Sequence, residues 1–153
     1  MYFGESVAKL DEKSRITVPR RTRDTMEVEG HAIWYMTRGY DKSIFLFHRD
    51  AWNEIRTLAS KHPSMDGKSL DFRRYFFSGV TEVRPDPQGR MAVPQHLREY
   101  AGIDKEAVLI GVDDHLELWN REAWRAFQDT MGEGFKEMAS ALFSQREAAG
   151  AAT

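Results

Sequence analysis

The sequence has no cysteine, only five prolines in 153 residues, and no apolar run long enough to cross a bilayer. The missing cysteine excludes disulfides, thiolate metal sites and cysteine nucleophiles, and it fits a reducing cytosol. A membrane span needs roughly 18 consecutive apolar residues, so no membrane partner is expected. The opening Met1-Tyr2-Phe3-Gly4-Glu5 has no basic stretch ahead of an apolar core, so no signal peptide is expected either. Excess charge of one sign is also missing: 22 Lys+Arg face 24 Asp+Glu, a net −2. That balance argues against a nucleic-acid binder unless the charge is unevenly placed. What remains is ordinary for a folded chain, with 41% hydrophobic and 30% charged residues. The length suits one domain or two very small ones.

The chain repeats itself. Asp11-Glu12-Lys13-Ser14-Arg15-Ile16-Thr17-Val18-Pro19, followed by Arg23, matches Asp86-Pro87-Gln88-Gly89-Arg90-Met91-Ala92-Val93-Pro94, followed by Arg98. Both read D-x-x-x-R-x-x-V-P-x-x-x-R, with the second copy 75 residues after the first. A second match, Ile44-Phe45-Leu46-Phe47-His48-Arg49-Asp50-Ala51-Trp52 against Leu116-Glu117-Leu118-Trp119-Asn120-Arg121-Glu122-Ala123-Trp124, follows at an offset of 72. Two matches in the same order indicate a tandem duplication. The expected organisation is a first repeat at 5–60, a linker and joining helix at 61–79, a second repeat at 80–130, and a C-terminal helix and tail at 131–153.

Each repeat reads the same way. A short strand (7–10, 81–84) enters the Asp turn, and a second strand ends at Pro19 or Pro94, because proline cannot continue a central ladder. A short helix follows (20–26, 95–100), then two strands (32–37 and 43–47; 107–112 and 115–119), then a closing helix. His48 and Asn120 sit at the start of that helix as caps. Trp52, Ile55, Leu58 and Ala59 form its apolar stripe in the first copy, and Trp124 and Phe127 face the core in the second. Residues 70–77 read as an aromatic helix, apolar on two sides and therefore buried between the units or between subunits. The segment 144–153 reads as a frayed or disordered tail. A core drawn from fewer than about 70–80 residues rarely supplies more than about 3–5 kcal/mol, so the two copies are expected to fold as one body.

The paired D-x-x-x-R motifs carry the sharpest chemistry. The aspartate can accept backbone N–H bonds and fix the turn. The arginine then opens the next strand, where its fork can meet a phosphate or a guanine edge; the plainer alternative is an internal ion pair that only holds the turn. Charge favours the first reading in copy one. Lys9, Lys13, Arg15, Arg20, Arg21 and Arg23 outnumber Asp11 and Glu12 over residues 9–23, a local +4. Copy two is weaker, with a local +1 over residues 82–98. Ser14 stands where the second motif has Gly89. A turn that needs positive φ would strain the serine, so the first loop is expected to differ in shape.

The catalytic alternatives are thin. His31, His48, His62, His96 and His115 show no metal-ligand spacing, and His96 reads as a solvated surface residue. Asp113-Asp114 reads as turn chemistry rather than a metal pair. No nucleophile elbow, phosphate loop or dinucleotide fingerprint is present. No enzyme activity, metal or cofactor is expected.

These same residues resemble a known family. Met1-Tyr2-Phe3-Gly4-Glu5, Asp11 to Arg15 with Pro19, Arg73-Arg74-Tyr75-Phe76-Phe77-Ser78-Gly79, Asp86 to Arg90 with Pro94, and Leu116-Glu117-Leu118-Trp119 look like the MraZ family of bacterial transcriptional regulators, built from two AbrB-type (SpoVT-AbrB) repeats. The resemblance implies a mainly β fold with small helices (α+β), a double swapped-hairpin barrel formed by the two repeats. It implies sequence-specific binding to short direct repeats in double-stranded promoter DNA, upstream of cell-division and cell-wall genes including the protein's own. It implies ring-like homo-oligomers and a cytoplasmic, nucleoid-associated location. The family's DNA-binding role carries over to Arg15 and Arg90, with Asp11 and Asp86 as their partners. Lys13, Arg20, Arg21 and Arg23 join them from the charge count alone. The rival reading is a protein-interaction module, antitoxin-like or a scaffold, using the same barrel without DNA.

Overall fold

Pro19 and Pro94 end a strand and begin a helix at equivalent points. Their fixed φ and missing N–H suit a helix start and not a ladder. Helix α1 (Arg20–Glu29) then closes at Gly30, whose left-handed φ of 72° lets the next two N–H groups bond back to Glu27 and Met26. Helix α4 (Gln95–Ala101) closes the same way at Gly102. Both helices outrun their expected ends, because the stop is the glycine and not the last apolar residue. The computed structural model describes residues 1–61 and 66–151. Residues 62–65 of the expected linker therefore lie outside the described residues, as does the end of the tail at 152–153.

The described residues form eight strands, in pairs between helices: β1 (Glu5–Lys9), β2 (Arg15–Thr17), β3 (Trp34–Arg38), β4 (Ile44–His48), β5 (Thr81–Val83), β6 (Arg90–Ala92), β7 (Glu106–Gly111) and β8 (Leu116–Trp119). All pairings are antiparallel, in a six-stranded sheet ordered β1-β7-β8-β4-β3-β5 and a two-stranded ribbon β2-β6. Strands cross between copies. Lys9 in β1 lies opposite Glu106 in β7, and Trp34 in β3 opposite Val83 in β5.

The class is mixed α+β. Among the described residues the pairing leaves β1 and β5 as edges of the six-stranded sheet, and no closed barrel is seen. Turns between β1 and β2 and between β5 and β6 interrupt the ladder on the way to the ribbon. The helices are also larger than a mainly β reading allows. Helices α2 (Arg49–Ser60) and α3 (Gly67–Ser78) have 12 residues each, and α5 (Arg121–Ala151) has 31.

Period-two patterning sorts the sheet into two faces. Trp34, Met36, Ile44, Leu46, Leu116 and Leu118 are buried on one face against Ile16, Met91 and Leu97. Both copies contribute to this core. Tyr35, Phe45 and Phe47 point the other way, into a smaller cluster with Trp52 and Phe76. Thr37 donates its hydroxyl to the Phe76 carbonyl at 2.7 Å and anchors the end of α3. Within the single chain helix α3 is covered on one side: Phe76 is buried, whereas Phe72 and Tyr75 are about half exposed. Likewise the α2 stripe stops short of Leu58, which is exposed.

The chain divides into two compact units, Met1–Arg121 and Glu122–Thr153. In the second, Trp124 and Phe127 stack at 5.4 Å, and Phe135, Leu142 and Phe143 are exposed. The segment from Ser144 is helical to Ala151 rather than frayed. Gly132 and Gly134 are carried within the helix, so length and continuous backbone bonding outweigh their propensity cost of about 1 kcal/mol each. Among the described residues no helix is long and apolar enough to cross a membrane.

Candidate nucleic-acid interface

Each Asp motif folds into the same clamp. In loop one, Asp11 Oδ1 accepts the N–H groups of Lys13 and Arg15, both at 2.9 Å. Its Oδ2 accepts Arg15 Nε at 2.8 Å. In loop two, Asp86 Oδ1 accepts the N–H groups of Gln88 at 3.0 Å and Arg90 at 2.8 Å, and its Oδ2 accepts Arg90 Nε at 2.6 Å. The turn-holding role of the aspartates and the internal ion pair are thus both present. A carboxylate that accepts several N–H bonds is favoured in its charged form. The Arg15 N–H chiefly, with the Arg15 guanidinium assisting against some desolvation, lowers the Asp11 pKa; Arg90 does the same for Asp86.

Ser14 does not reshape its loop. It adopts φ 58° where Gly89 adopts 77°, and both N–H groups bond back to the motif aspartate's carbonyl. The expected difference in shape is therefore absent. Serine holds the left-handed conformation at some cost, because four bonds converge on the turn.

The clamp aims the arginines. In the ribbon, Arg15 pairs with Ala92 and Thr17 with Arg90, while Ile16 pairs with Met91. Paired residues share a face. Ile16 and Met91 are fully buried beneath the ribbon, so Arg15, Thr17, Arg90 and Ala92 form its outer face. Two residues of rise separate the motif arginines, about 7 Å along the strands. Because each clamp takes Nε, the terminal guanidinium nitrogens remain. Those of Arg15 have no partner among the described residues. Arg90 Nη2 reaches Gln88 Oε1 at 3.4 Å.

The other expected basic residues divide. Lys13 and Arg20 are exposed, with no ion-pair partner among the described residues. Arg21 donates to the Phe3 carbonyl at 3.0 Å, and its guanidinium covers the Phe3 ring at 4.5 Å. Arg23 Nη1 donates to the Gln88 carbonyl at 2.9 Å, so it sits at loop two although it belongs to copy one in sequence. No sequence signal places it there, because the contact spans 65 residues. A cleft of about 500 Å³ opens beside it, lined by Arg20, Arg23, Asp24, Glu27, Asp86 and Gly89 among others.

A histidine cluster also escaped the sequence. His31 and His48 stack with ring centroids 3.6 Å apart and planes 4° apart. The Tyr2 hydroxyl is 2.6 Å from His31 Nδ1. Burial pushes both imidazole pKa values down, and for His48 the neighbouring His31 adds to it. With Asp50 these residues bring three possible ligand atoms within 4.8 Å of one another. Yet His48 Nδ1 accepts the Ala51 N–H at 3.3 Å as the helix cap, which puts its neutral-form proton on Nε2. Ligation through Nε2 would need the opposite tautomer and the loss of the cap. The arrangement is that of neutral packed rings. His96 is exposed with Nε2 3.0 Å from the Gly79 carbonyl, and Asp113 is a turn residue at φ 64°.

A tandem α+β protein with twin arginine loops on one ribbon is the class these observations define. The chain belongs to the MraZ family: the family model described as "MraZ protein, putative antitoxin-like" matches residues 1–74 and 76–146. A relative from Syntrophomonas wolfei, named Transcriptional regulator MraZ, is 37% identical over 142 residues, covering 93% of this chain and 96% of the relative. A solved structure, the solution structure of PHS018 from Pyrococcus horikoshii, covers 78% of this chain and 99% of its own at 14% identity with a TM-score of 0.36, a likeness too distant to bear on the fold.

Proposed function

We propose that this protein is a sequence-specific DNA-binding transcriptional regulator. It acts in the cytoplasm at the nucleoid, as a ring-like homo-oligomer on short direct repeats upstream of cell-division and cell-wall genes, its own promoter included. Its repeats, 5–60 and 80–130, take the place of the two subunits of a swapped-hairpin barrel, a reading supported by the strands they exchange. The observation that carries the proposal is the shared outer face of the ribbon, where two identically clamped arginines stand about 7 Å apart along the strands. Arg15 and Arg90 contact base edges or phosphates, and Lys13 and Arg20 add phosphate contacts. The relative's name as a transcriptional regulator supports the same role.

A gel shift with the 200 or so base pairs upstream of the gene tests it. Wild type is expected to bind with strong salt dependence, and Arg15→Ala or Arg90→Ala each to weaken binding about tenfold or more, since a good bidentate base contact is worth roughly 1–3 kcal/mol. Equal retention of wild type and the double mutant would overturn it. The rival, a protein-interaction module, draws on the exposed Phe72 and Tyr75; specific DNA retention would exclude it as the main role.

A further inference from the structure

We propose that Arg23 is the positioning residue of loop two, a strut thrown from the first copy across to the second, and not a phosphate contact. The proposal rests on the DNA-binding reading for its consequence, but its geometry stands without it. Arg23 reaches 65 residues ahead in sequence to donate Nη1 to the Gln88 carbonyl. Its stem lies against Gly89 so closely that a Cβ there would fall 2.2 Å from Arg23 Cδ and 2.8 Å from Cγ. Gly89 is itself buried by this contact and has φ 77°. The turn residue of loop two is therefore covered by an arginine stem, and the carbonyl before it is tied by an arginine nitrogen.

The motif repeat supplies the control. Arg98 occupies the position equivalent to Arg23. Symmetry would carry it to the Lys13 carbonyl of loop one. It instead donates Nε to the Val93 carbonyl of its own copy at 3.0 Å. The rest of the frame is symmetric: Val18 N–H bonds to the Gly89 carbonyl and Val93 N–H to the Ser14 carbonyl, both at 2.9 Å. The strut is one-sided, and it falls on the loop with glycine.

The difference has a physical cause. Ser14 carries a Cβ where Gly89 leaves room, so loop one has no space for a crossing stem. Glycine also loses more freedom on ordering than any other residue. A glycine turn needs outside restraint to hold its arginine at a fixed angle, and Arg23 provides it. The serine turn is stiffer and stands without a strut. The strut brings a guanidinium charge to the loop whose own sequence is nearly neutral.

The test uses the full-length chain and two readouts. Hydrogen exchange by mass spectrometry follows residues 85–92 and 11–17, with 106–111 as the fold control. Fluorescence anisotropy with the duplex from upstream of the gene gives affinity across a salt series. Arg23→Ala is expected to speed exchange in 85–92 about tenfold, the value of one such hydrogen bond, and to leave 11–17 and 106–111 as in wild type. It is expected to weaken DNA binding without reducing the salt slope, whereas Arg90→Ala reduces that slope by about one. Gly89→Ser added to Arg23→Ala should restore slow exchange in 85–92, because the serine turn of loop one stands without a strut. Unchanged exchange in 85–92 with Arg23→Ala overturns the strut, and so does exchange that stays fast in the double variant. So does a salt slope reduced by one with Arg23→Ala, which would mark a phosphate contact, or looser exchange with undiminished binding. Should wild type fail to bind the duplex, the DNA reading falls, and the exchange data still decide the strut.

Discussion

Loop one and loop two reach one geometry from different residues. Asp11-Glu12-Lys13-Ser14-Arg15 and Asp86-Pro87-Gln88-Gly89-Arg90 share only the aspartate and the arginine, yet their clamp bonds agree within 0.2 Å. The three intervening positions differ in every side chain. The comparison teaches that a carboxylate with both oxygens committed specifies this turn, and that the residues between are free to vary in charge and stiffness. Loop one spends that freedom on an exposed lysine and a serine turn. Loop two has a proline, a glycine and a borrowed arginine.

The comparison can be pushed hardest from beneath. Ile16 and Met91 are paired, and both are wholly buried under the ribbon. Ile16→Ala and Met91→Ala should each cost about 2–5 kcal/mol in denaturant unfolding. Equal costs would confirm that the two loops rest on a common floor; a cost in only one would show that they do not.

The turn residues give the next largest effect, with opposite signs. Gly89→Ala should destabilise by about 1–2 kcal/mol, since alanine at φ 77° is strained and its Cβ meets the Arg23 stem. Ser14→Gly should stabilise by up to about 1 kcal/mol by relieving φ 58°. Thermal melts of the two variants check both signs.

Acid sharpens the likeness. Asp11 and Asp86 both titrate below their ordinary value of 3.8. A depressed carboxyl contributes its stability above the unfolded value, and the contribution goes as pH falls through the folded one. Amide exchange in both loops should therefore stay slow at pH 4 and rise together at lower pH. Separate midpoints would break the equivalence.

His115 supplies the smallest effect, away from the loops. Burial opposes its charge, but bonds to Glu117 at 2.8 Å and Asp114 at 2.7 Å prevail and raise its pKa above 6.5. Its stabilisation is full below 6.5 and is lost as pH rises through the raised value. A melt series from pH 6 to 9 should show a small decline that His115→Gln abolishes, with loop exchange unchanged.

Much of this was legible in the chain. The duplicated motif located both clamps, the prolines marked the strand-to-helix joints, and the alternation in Leu116-Glu117-Leu118 gave a strand. What stayed hidden depends on distant neighbours. A local charge count assigned Arg23 to loop one because summing along a sequence ignores where a long side chain crosses. The His31–His48 stack lay hidden for the same reason: it forms only once β4 carries His48 back beside the chain before β3. Serine at a glycine position suggested a different shape, because propensity counts the strain and not the four bonds that overcome it.

The exchange of strands between copies sets a timetable for the chain as it leaves the ribosome. Lys9 waits for Glu106 and Trp34 for Val83 before their ladders close. During that interval β1 has no partner strand, one side of β3 is open, and the apolar face of β3 and β4 lacks half of its cover. Long-range pairing of this kind slows folding, and open strand edges invite association with other chains. Newly made first halves on one crowded message could complete one another's sheets before their own second halves arrive, so synthesis speed through residues 60–110 becomes part of how the fold is secured.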